Sequence, residues 1–554
     1  MKPVDPSPTT EWGSTIHGLR LYLGATGLGL ALFLTCLEAT IVSTSLVTIT
    51  DDLQDSNNSS WIITSYLLTY TGFLIVWSNC SSIVGVKTAV LASLSLFIGF
   101  SAACAASQTL NQLIIFRALQ GLGGAGVYSL TLFSFVRIVP YKHFDKVSSL
   151  AGGISSLGLV LGPLLGGAIA NNGSWRWVFL YNVPVGVLSW IFTYYAIPSH
   201  FPNAKIHNDQ DIRKRLWLGT KSFFRRVDLL GSFLTLTACS FIIAALQEGN
   251  SQYSWNSPLV ISFFVISGIF CILFALWESF VSQNDMGIIP MFPWRLIHNR
   301  IFMGVLLGFL TSGLPLFVCI INIPQRFQIV NGSSPIGAGV KLLSFSVSCP
   351  VGIIACSILS GRLELPFCYI IIVGAIMQVT GIFLYSCIDP ITTLWLGQFG
   401  YLVLAGLGVG LSVAAFYMAA PLVVDQEDQA AAVGIGIQFR TLGGVLGVAA
   451  SASILNHYIE SRLSSILGPA ELMALSRSTQ SITTFSPDIQ NYVREIFALA
   501  YNSQMKLAAS FSAAQSLAIV MMWKKDNVRF SKGKPMAELD HTDVPSSECE
   551  NQMR

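Results

Sequence analysis

The chain has 554 residues, of which 53% are hydrophobic and 11% charged, and its formal net charge is +3. A soluble fold of this composition would expose more apolar surface than water tolerates, so a membrane protein is predicted. The small net charge does not indicate a nucleic-acid partner. The 11 cysteines favour neither a disulfide framework nor zinc, because all but Cys549 lie singly in or beside apolar segments.

Apolar segments of membrane-spanning length recur along almost the whole chain. Crossing ~30 Å of hydrocarbon takes about 20 apolar residues, and hydropathy on that basis predicts an all-α polytopic protein with fourteen spans. They lie near 22–46, 60–79, 86–106, 112–136, 147–170, 177–197, 229–247, 258–280, 301–322, 334–360, 366–387, 394–420, 430–455 and 504–523. Polar residues interrupt the last of them.

Lys and Arg residues predict the orientation of these spans, since cytoplasmic loops hold them in excess. Lys87 follows span two, three basic residues follow span four, and seven lie between 205 and 226 after span six. Both termini are therefore expected to face the cytosol. The polar start lacks a short apolar core with a cleavage site, so span one is expected to act as its own insertion signal.

A faint internal repeat divides the spans into two sets. Gly121-Leu-Gly123 in span four resembles Gly406-Leu-Gly408 in span twelve, and the glycine-rich span five resembles Gly443-Gly444-Val-Leu-Gly447 in span thirteen. This offset of eight spans predicts two six-helix halves with spans seven and eight inserted between them. The expected parts are an N-terminal tail (1–21), a first bundle (22–197), a basic cytoplasmic linker (198–228), two inserted helices (229–280), a second bundle (301–523) with an outer loop (457–504), and a C-terminal tail (524–554).

Span five contains a glycine-proline stretch, Gly158-Leu-Val-Leu-Gly162-Pro163-Leu-Leu-Gly166-Gly167. Glycines four apart let two helices approach closely, and a proline in a lipid-embedded helix is tolerated where neighbouring groups satisfy the freed carbonyl. The pattern predicts a kinkable, closely packed helix of the kind that alternating access requires. The alternative is an ordinary tight helix contact.

Ionisable groups at bilayer depth indicate the transport machinery, because each costs about 2.5–3.5 kcal/mol to insert. Glu38 lies near the middle of span one, with Thr35, Ser45 and Thr48 at helical spacings on its face. Arg117 in span four has Gln120, Gly124 and Thr131 on a similar face.

A cavity between spans one and four is therefore expected to hold an acid, a base and water. Shielding from water favours a neutral carboxyl, whereas a nearby guanidinium favours the ionised form. We hypothesise that Glu38 carries a coupled proton and that Arg117 holds its deprotonated form. The alternative is a static ion pair that fixes two helices.

Arg440 in span thirteen is the corresponding charge in the second half. It is expected to guide substrate or stabilise an inward-facing water cavity, or else to bond carbonyls near its glycine neighbours. Tyr128, with Tyr66 and Tyr70, is a candidate for the cavity lining.

Several other residues are expected to have structural roles at the membrane surface. Trp175, Trp177 and Tyr181 are interpreted as interfacial aromatic anchors. Glu278 and Lys341 lie near predicted span ends, where long charged side chains reach toward water.

Sequence signatures of enzymes are missing. The chain has no Gly-x-x-x-x-Gly-Lys-Ser/Thr phosphate loop, so no ATP-driven engine is indicated, and its seven histidines are scattered. We therefore expect no enzymatic activity, no cofactor and no metal site, with ion gradients as the source of energy.

Three local patterns, supported by two shorter ones, resemble a known family over roughly residues 20–525. They are Arg117-Ala-Leu-Gln120-Gly121-Leu-Gly123-Gly124, the glycine-proline stretch of span five, Trp175-Arg176-Trp177-Val-Phe-Leu-Tyr181-Asn182-Val-Pro184-Val-Gly186, Leu37-Glu38-Ala-Thr-Ile-Val-Ser43 and Phe439-Arg440-Thr-Leu-Gly443-Gly444. The chain resembles the major facilitator superfamily, and within it the fourteen-span drug:proton antiporters, especially fungal multidrug and toxin efflux pumps. The resemblance implies a major facilitator fold that exports lipophilic small molecules against inward proton flow, with the proline-containing fifth helix characteristic of exporters.

The chain departs from that family between spans two and three. Ser81-Ser82-Ile-Val-Gly85-Val86-Lys87 replaces a pattern like Gly-x-x-x-Asp-x-x-Gly-Arg-Lys, which puts the family's cytoplasmic charge latch in doubt. Two alternatives follow: a vacuolar basic-amino-acid or siderophore carrier of the same fold, and a non-transporting sensor or binding protein. The favoured interpretation is a monomer in the plasma membrane whose partners are lipophilic cargo, protons and the bilayer.

Overall fold

The computed structural model describes residues 18–55, 58–138, 144–172, 174–198, 228–249, 253–284, 288, 290–292, 294–389, 394–425, 429–463, 467–468, 471, 475 and 479–524. The predicted basic linker and both predicted tails lie almost wholly outside the described residues, and so do the side chains of 136–150.

Within the described part of the chain, 14 helices are long and apolar enough to cross a membrane. Their bounds are Leu19–Leu53, Ser59–Val84, Val86–Ala106, Leu110–Ile138, Phe144–Asn172, Trp177–Leu180 with Asn182–Ala196, Leu229–Glu248, Pro258–Gln283, Arg300–Ile329, Pro335–Ser346 with Ser348–Gly361, Phe367–Ser386, Gln398–Ala419, Gln429–Tyr458 and Pro487–Met522. The prediction of an all-α protein with fourteen spans is confirmed. Helices dominate because backbone polar groups in hydrocarbon must be satisfied within the chain.

Helix contacts in the first six spans recur eight spans later. Span one packs on spans five and six, and span four packs on spans two and three. In the same way, span nine packs on spans thirteen and fourteen, and span twelve packs on spans ten and eleven. Spans one to six and nine to fourteen therefore form two equivalent six-helix halves, as the repeat predicted.

Glycine pairs occupy equivalent places in the two halves. Gly121 and Gly406 face backbone carbonyls of spans two and ten, whereas Gly123 and Gly408 face the backbone of spans three and eleven. A Cβ atom at any of these positions would collide with the neighbouring backbone, so the close approach requires glycine. The repeated motif thus has a packing role.

Among the described residues, the most extensive contacts between the halves join span one with span nine, span five with span ten, and span two with span thirteen. Span seven lies across spans two and thirteen, while span eight packs mainly on span seven. The most apolar window of span nine is 89% buried, whereas that of span eight is only 11% buried. Spans one and nine form the centre of the bundle, and span eight presents most of its apolar surface to lipid.

The segment predicted as an outer loop is partly helical. Span thirteen continues into a π-helical turn, Ile459–Leu463, and the helix of span fourteen begins at Pro487 rather than near residue 504. Residues of this segment pack with Val330 at the end of span nine in a separate apolar cluster. Its members include Leu463, Leu467, Leu475, Ile482, Val493, Ile496 and Phe497. Hydropathy did not predict this small core, because polar residues separate its apolar members along the sequence.

Candidate functional site

Glu38 and Arg117 form an ion pair in the interior of the first half. Both residues are 1% exposed. Arg117 Nη1 contacts Glu38 Oε1, and Arg117 Nε donates to the carbonyl oxygen of Ile62 at 3.1 Å. The guanidinium of span four therefore joins spans one and two, which agrees with the expected pairing of an acid and a base between spans one and four.

The second carboxylate oxygen of Glu38 is held by span six. Asn182 Nδ2 donates to Glu38 Oε2 at 2.7 Å, and the Tyr181 hydroxyl lies 3.4 Å from the same oxygen. The expectation that Tyr181 is an interfacial anchor is wrong, because its hydroxyl reaches the buried acid. Asn182 belongs to the Trp175–Gly186 motif and is fully buried, and its only sequence signal is an amide side chain in an otherwise apolar helix.

Gln120 links Arg117 to Ser101 of span three through its side-chain amide. Its Oε1 atom accepts from Arg117 Nη1 at 2.8 Å, and its Nε2 atom donates to Ser101 Oγ at 2.8 Å. Gln120 is fully buried and therefore holds the ion pair instead of lining an open space in this conformation. Thr35 is also buried, and its hydroxyl donates to carbonyl oxygens of its own helix.

Aromatic rings enclose the guanidinium of Arg117. Its Cζ atom lies 4.3 Å from the ring centroid of Tyr66 and 5.5 Å from that of Phe179. Cation–π attraction strengthens when water is excluded, as it is here. The rings therefore help to compensate the desolvation of the cation.

A second group of polar side chains lies between the halves, and we call it the tyrosine chamber. It consists of Tyr70, Tyr128, Tyr417 and Arg440, all half-buried. The ring centroids of Tyr70 and Tyr128 are 6.0 Å apart, and Arg440 Cζ lies 5.7 Å from the ring of Tyr417. Tyr66 stacks on Tyr70 at 5.8 Å, which links the chamber to the ion pair.

Arg440 has no carboxylate partner among the residues that the structure describes. Its Nε atom is buried without a hydrogen-bond partner, as is the hydroxyl oxygen of Tyr417. Of the roles expected from sequence, bonding of helix carbonyls has no supporting contact in the described chain. A cation facing tyrosine rings between the halves fits the interpretation of a cavity residue.

The glycine-proline stretch holds span five against span one. Gly162 faces the Thr40 side chain, and Gly166 faces the backbone carbonyl of Ile41, both in span one. Thr44 Oγ1 donates to the carbonyl oxygen of Pro163 at 3.0 Å, and Ser45 Oγ donates to that of Gly166 at 3.0 Å. These two hydroxyls of span one therefore tie span one to span five at the glycine-proline stretch.

The far end of the same stretch contacts the second half. Gly167 faces the backbone at Pro335 in span ten, and Gly339 faces the carbonyl of Pro163. Backbones of the two halves therefore touch directly at the end of the bundle that is predicted to face outward. Gly166 thus contacts span one in its own half, and the adjacent Gly167 contacts span ten in the other half.

Glu278 was predicted to reach water, and this prediction is wrong. It is 1% exposed, and its carboxylate accepts from the backbone N–H groups of Met291 at 3.2 Å and Phe292 at 3.3 Å. The neighbouring Asp228 accepts from Trp277 Nε1 at 2.7 Å. Glu278 therefore fastens the segment that leads into span nine to the end of span eight.

The two tryptophans predicted as anchors behave differently. Trp177 is 56% exposed, in keeping with an interfacial anchor, whereas Trp175 is 3% exposed and donates to Asp52 Oδ2 at 2.7 Å. Trp175 thus joins the start of span six to the end of span one. In the described part of the chain, no group of His, Cys, Asp and Glu side chains is arranged to hold a metal ion.

Fold and site together define a polytopic helical membrane transporter. A sequence profile of the Major Facilitator Superfamily matches residues 28–292. The chain is 39% identical to the MFS-type transporter FPY5 of Fusarium mangiferae over 91% of its own length and 84% of the relative. It is 26% identical to the efflux pump aflT of Aspergillus parasiticus, over 83% and 86% of the two chains. The chain belongs to the major facilitator superfamily and resembles fungal efflux pumps.

Solved structures share the fold at low sequence identity. A bacterial homolog of the human lysosomal transporter Spinster, in an inward-facing conformation, has a TM-score of 0.59 and 13% identity over 93% of this chain and 100% of its own. A D-xylose–proton symporter has a TM-score of 0.55 and 13% identity, over 89% and 96% of the chains. At this identity the similarity concerns the arrangement of helices alone.

Proposed function

We propose that the protein is a proton-coupled antiporter that exports lipophilic small molecules by alternating access. The observation that carries the proposal is the buried Glu38, which receives hydrogen bonds from Arg117 of span four and Asn182 of span six. A carboxyl group at bilayer depth is costly, so its presence favours a role in moving charge. The names of the efflux-pump relatives support the direction of transport.

Protonation of Glu38 changes the contacts that hold three spans together. The ionised carboxylate attracts the Arg117 guanidinium strongly in a medium of low dielectric constant. A proton on Glu38 removes that attraction and leaves Arg117 with Gln120 and the Ile62 carbonyl as partners. Proton binding therefore loosens span one from span four, and proton release draws them together.

This loosening reaches the interface between the halves through span one. Span one packs on span five within its half and on span nine across the interface. The glycine contacts of Gly167 and Gly339 hold spans five and ten together at the predicted outer end. We propose that these contacts separate when the transporter opens outward, with cargo in the tyrosine chamber.

The cellular arrangement follows from charge distribution and resemblance. The resemblance to fungal efflux pumps supports the plasma membrane, and the excess of Lys and Arg in the corresponding loops supports a cytosolic location for both termini.

The experiment begins with the compound that cells retain when the gene is deleted. Purified protein in liposomes should move that compound when a pH difference is imposed and should stop when a protonophore collapses it. The Glu38→Gln variant should lose gradient-driven transport but keep exchange of labelled for unlabelled cargo, because exchange needs no net proton turnover. Glu278→Gln, a buried acid far from the ion pair, is the matched control and should transport normally. Undiminished transport without a pH difference would overturn the proposal.

A further inference from the structure

The tyrosine chamber has an unbalanced positive charge. The buried acids among the described residues are Glu38, Asp51, Asp228 and Glu278. Glu38 is neutralised by Arg117, Asp51 lies in the last turn of span one, and the other two lie at the ends of spans seven and eight. Arg440 is thus the cation of the chamber for which the described chain supplies no counter-charge.

The side chains around Arg440 leave hydrogen-bond donors unused. Arg440 Nε and the Tyr417 hydroxyl are both buried and form no hydrogen bond of normal geometry, although the two side chains lie close enough to interact electrostatically. A buried donor without an acceptor is destabilising. A ligand that supplies an acceptor oxygen removes this penalty, which favours its binding. A guanidinium prefers carboxylates and related anions, because two of its N–H groups match two oxygens.

The remaining walls of the chamber are aromatic. Tyr70 and Tyr128 present rings from spans two and four, and Tyr417 presents its ring from span twelve. Phe309 of span nine packs edge-on against Tyr417 at 4.9 Å between centroids, which fixes that ring. Flat ring faces favour planar aromatic ligands through stacking.

We propose that the tyrosine chamber binds planar aromatic acids, with the anionic group held by Arg440 and the ring system held by Tyr70, Tyr128 and Tyr417. This inference rests on the proposed export function only in treating the chamber as the cargo site. A lipophilic cation is disfavoured there, since it would lie beside Arg440 with no carboxylate from the described chain to balance the charge.

Binding to the purified full chain in detergent tests this specificity without any transport step. Pyrenecarboxylate, pyrenecarboxamide and pyrenemethylamine share one planar ring system and differ in charge. Fluorescence anisotropy should show the carboxylate binding about tenfold or more tighter than the amide, in line with a charge-assisted hydrogen bond. The amine should bind more weakly than the amide.

Variants assign the preference to named residues. Arg440→Gln should bind the carboxylate and the amide equally, while Arg440→Lys should keep part of the preference. Tyr128→Leu should weaken binding of all three probes by a similar factor, because stacking does not depend on their charge. A thermal melt of each variant establishes that it is folded.

The failure of this inference differs from the failure of the proposed function. Glu38→Gln should retain the carboxylate preference even though it loses gradient-driven transport. Equal binding of all three probes by the wild type would overturn the inference, as would a preserved preference in folded Arg440→Gln. Neither of these results would affect the proton-coupling experiment.

Discussion

Asn182 donates to Glu38 Oε2 across 2.7 Å, although 144 residues separate them in the chain. The contact brings span six to the same carboxylate that Arg117 reaches from span four. Glu38 is therefore the point at which three helices of the first half meet. Any change in its charge acts on all of them.

Replacing Asn182 tests the strength of this contact. Asn182→Ala should lower the free energy of unfolding by about 1–3 kcal/mol, because a buried carboxylate oxygen loses a charge-assisted bond. Tyr181→Phe should cost less, since its hydroxyl is 3.4 Å from the oxygen. Unfolding in mixed detergent micelles would measure both. Equal losses would contradict the ranking of the two contacts.

Arg117 and Glu38 should show strong energetic coupling. Arg117→Gln alone leaves a buried carboxylate without its counter-ion and should cost about 3–5 kcal/mol. The double variant Glu38→Gln/Arg117→Gln should cost much less than the two single changes together, because it leaves no unpaired charge. A double-mutant cycle on the free energy of unfolding measures the coupling, and additive losses would contradict a buried ion pair. The double variant should still lack gradient-driven transport.

Two glycines on span five form a matched pair. A Cβ at Gly166 would meet the carbonyl oxygen of Ile41, whereas a Cβ at Gly153 would have nothing within 4 Å. Gly166→Ala should destabilise the protein by about 1–3 kcal/mol through overpacking. Gly153→Ala should be neutral or stabilise the helix by about 0.5–1 kcal/mol. Thermal unfolding of the two purified variants compares them directly, and equal melting temperatures would contradict the close approach of spans one and five.

Glu278 should prove structural rather than part of transport. Glu278→Ala leaves the N–H groups of Met291 and Phe292 without acceptors and should cost about 1–3 kcal/mol. Glu278→Gln keeps one acceptor oxygen and should cost less. Transport per folded molecule should equal that of the wild type in both variants, and a specific loss of gradient-driven transport would show that this carboxylate takes part in coupling. Unfolding and liposome transport are measured on the same preparations.

Hydropathy and charge predicted much of this protein because the bilayer imposes strict local rules. A backbone in hydrocarbon must form helices of a set length, so the positions of the spans follow from composition. A charge at bilayer depth is costly, so Glu38, Arg117 and Arg440 were recognisable one by one. Span fourteen was placed too late because its first turns, from Pro487, are polar and lie in the small outer core.

Sequence alone determined which segments are helices, which of them carry ionisable groups, and that the two halves repeat with an offset of eight spans. Tertiary structure decided which partners those groups meet: Asn182 and Arg117 on Glu38, Gln120 behind Arg117, and tyrosine rings around Arg440. The reason is physical. Where lipid and protein interior are both apolar, the pattern of side chains around a helix says little about which face turns inward, so those contacts are settled only when the helices pack.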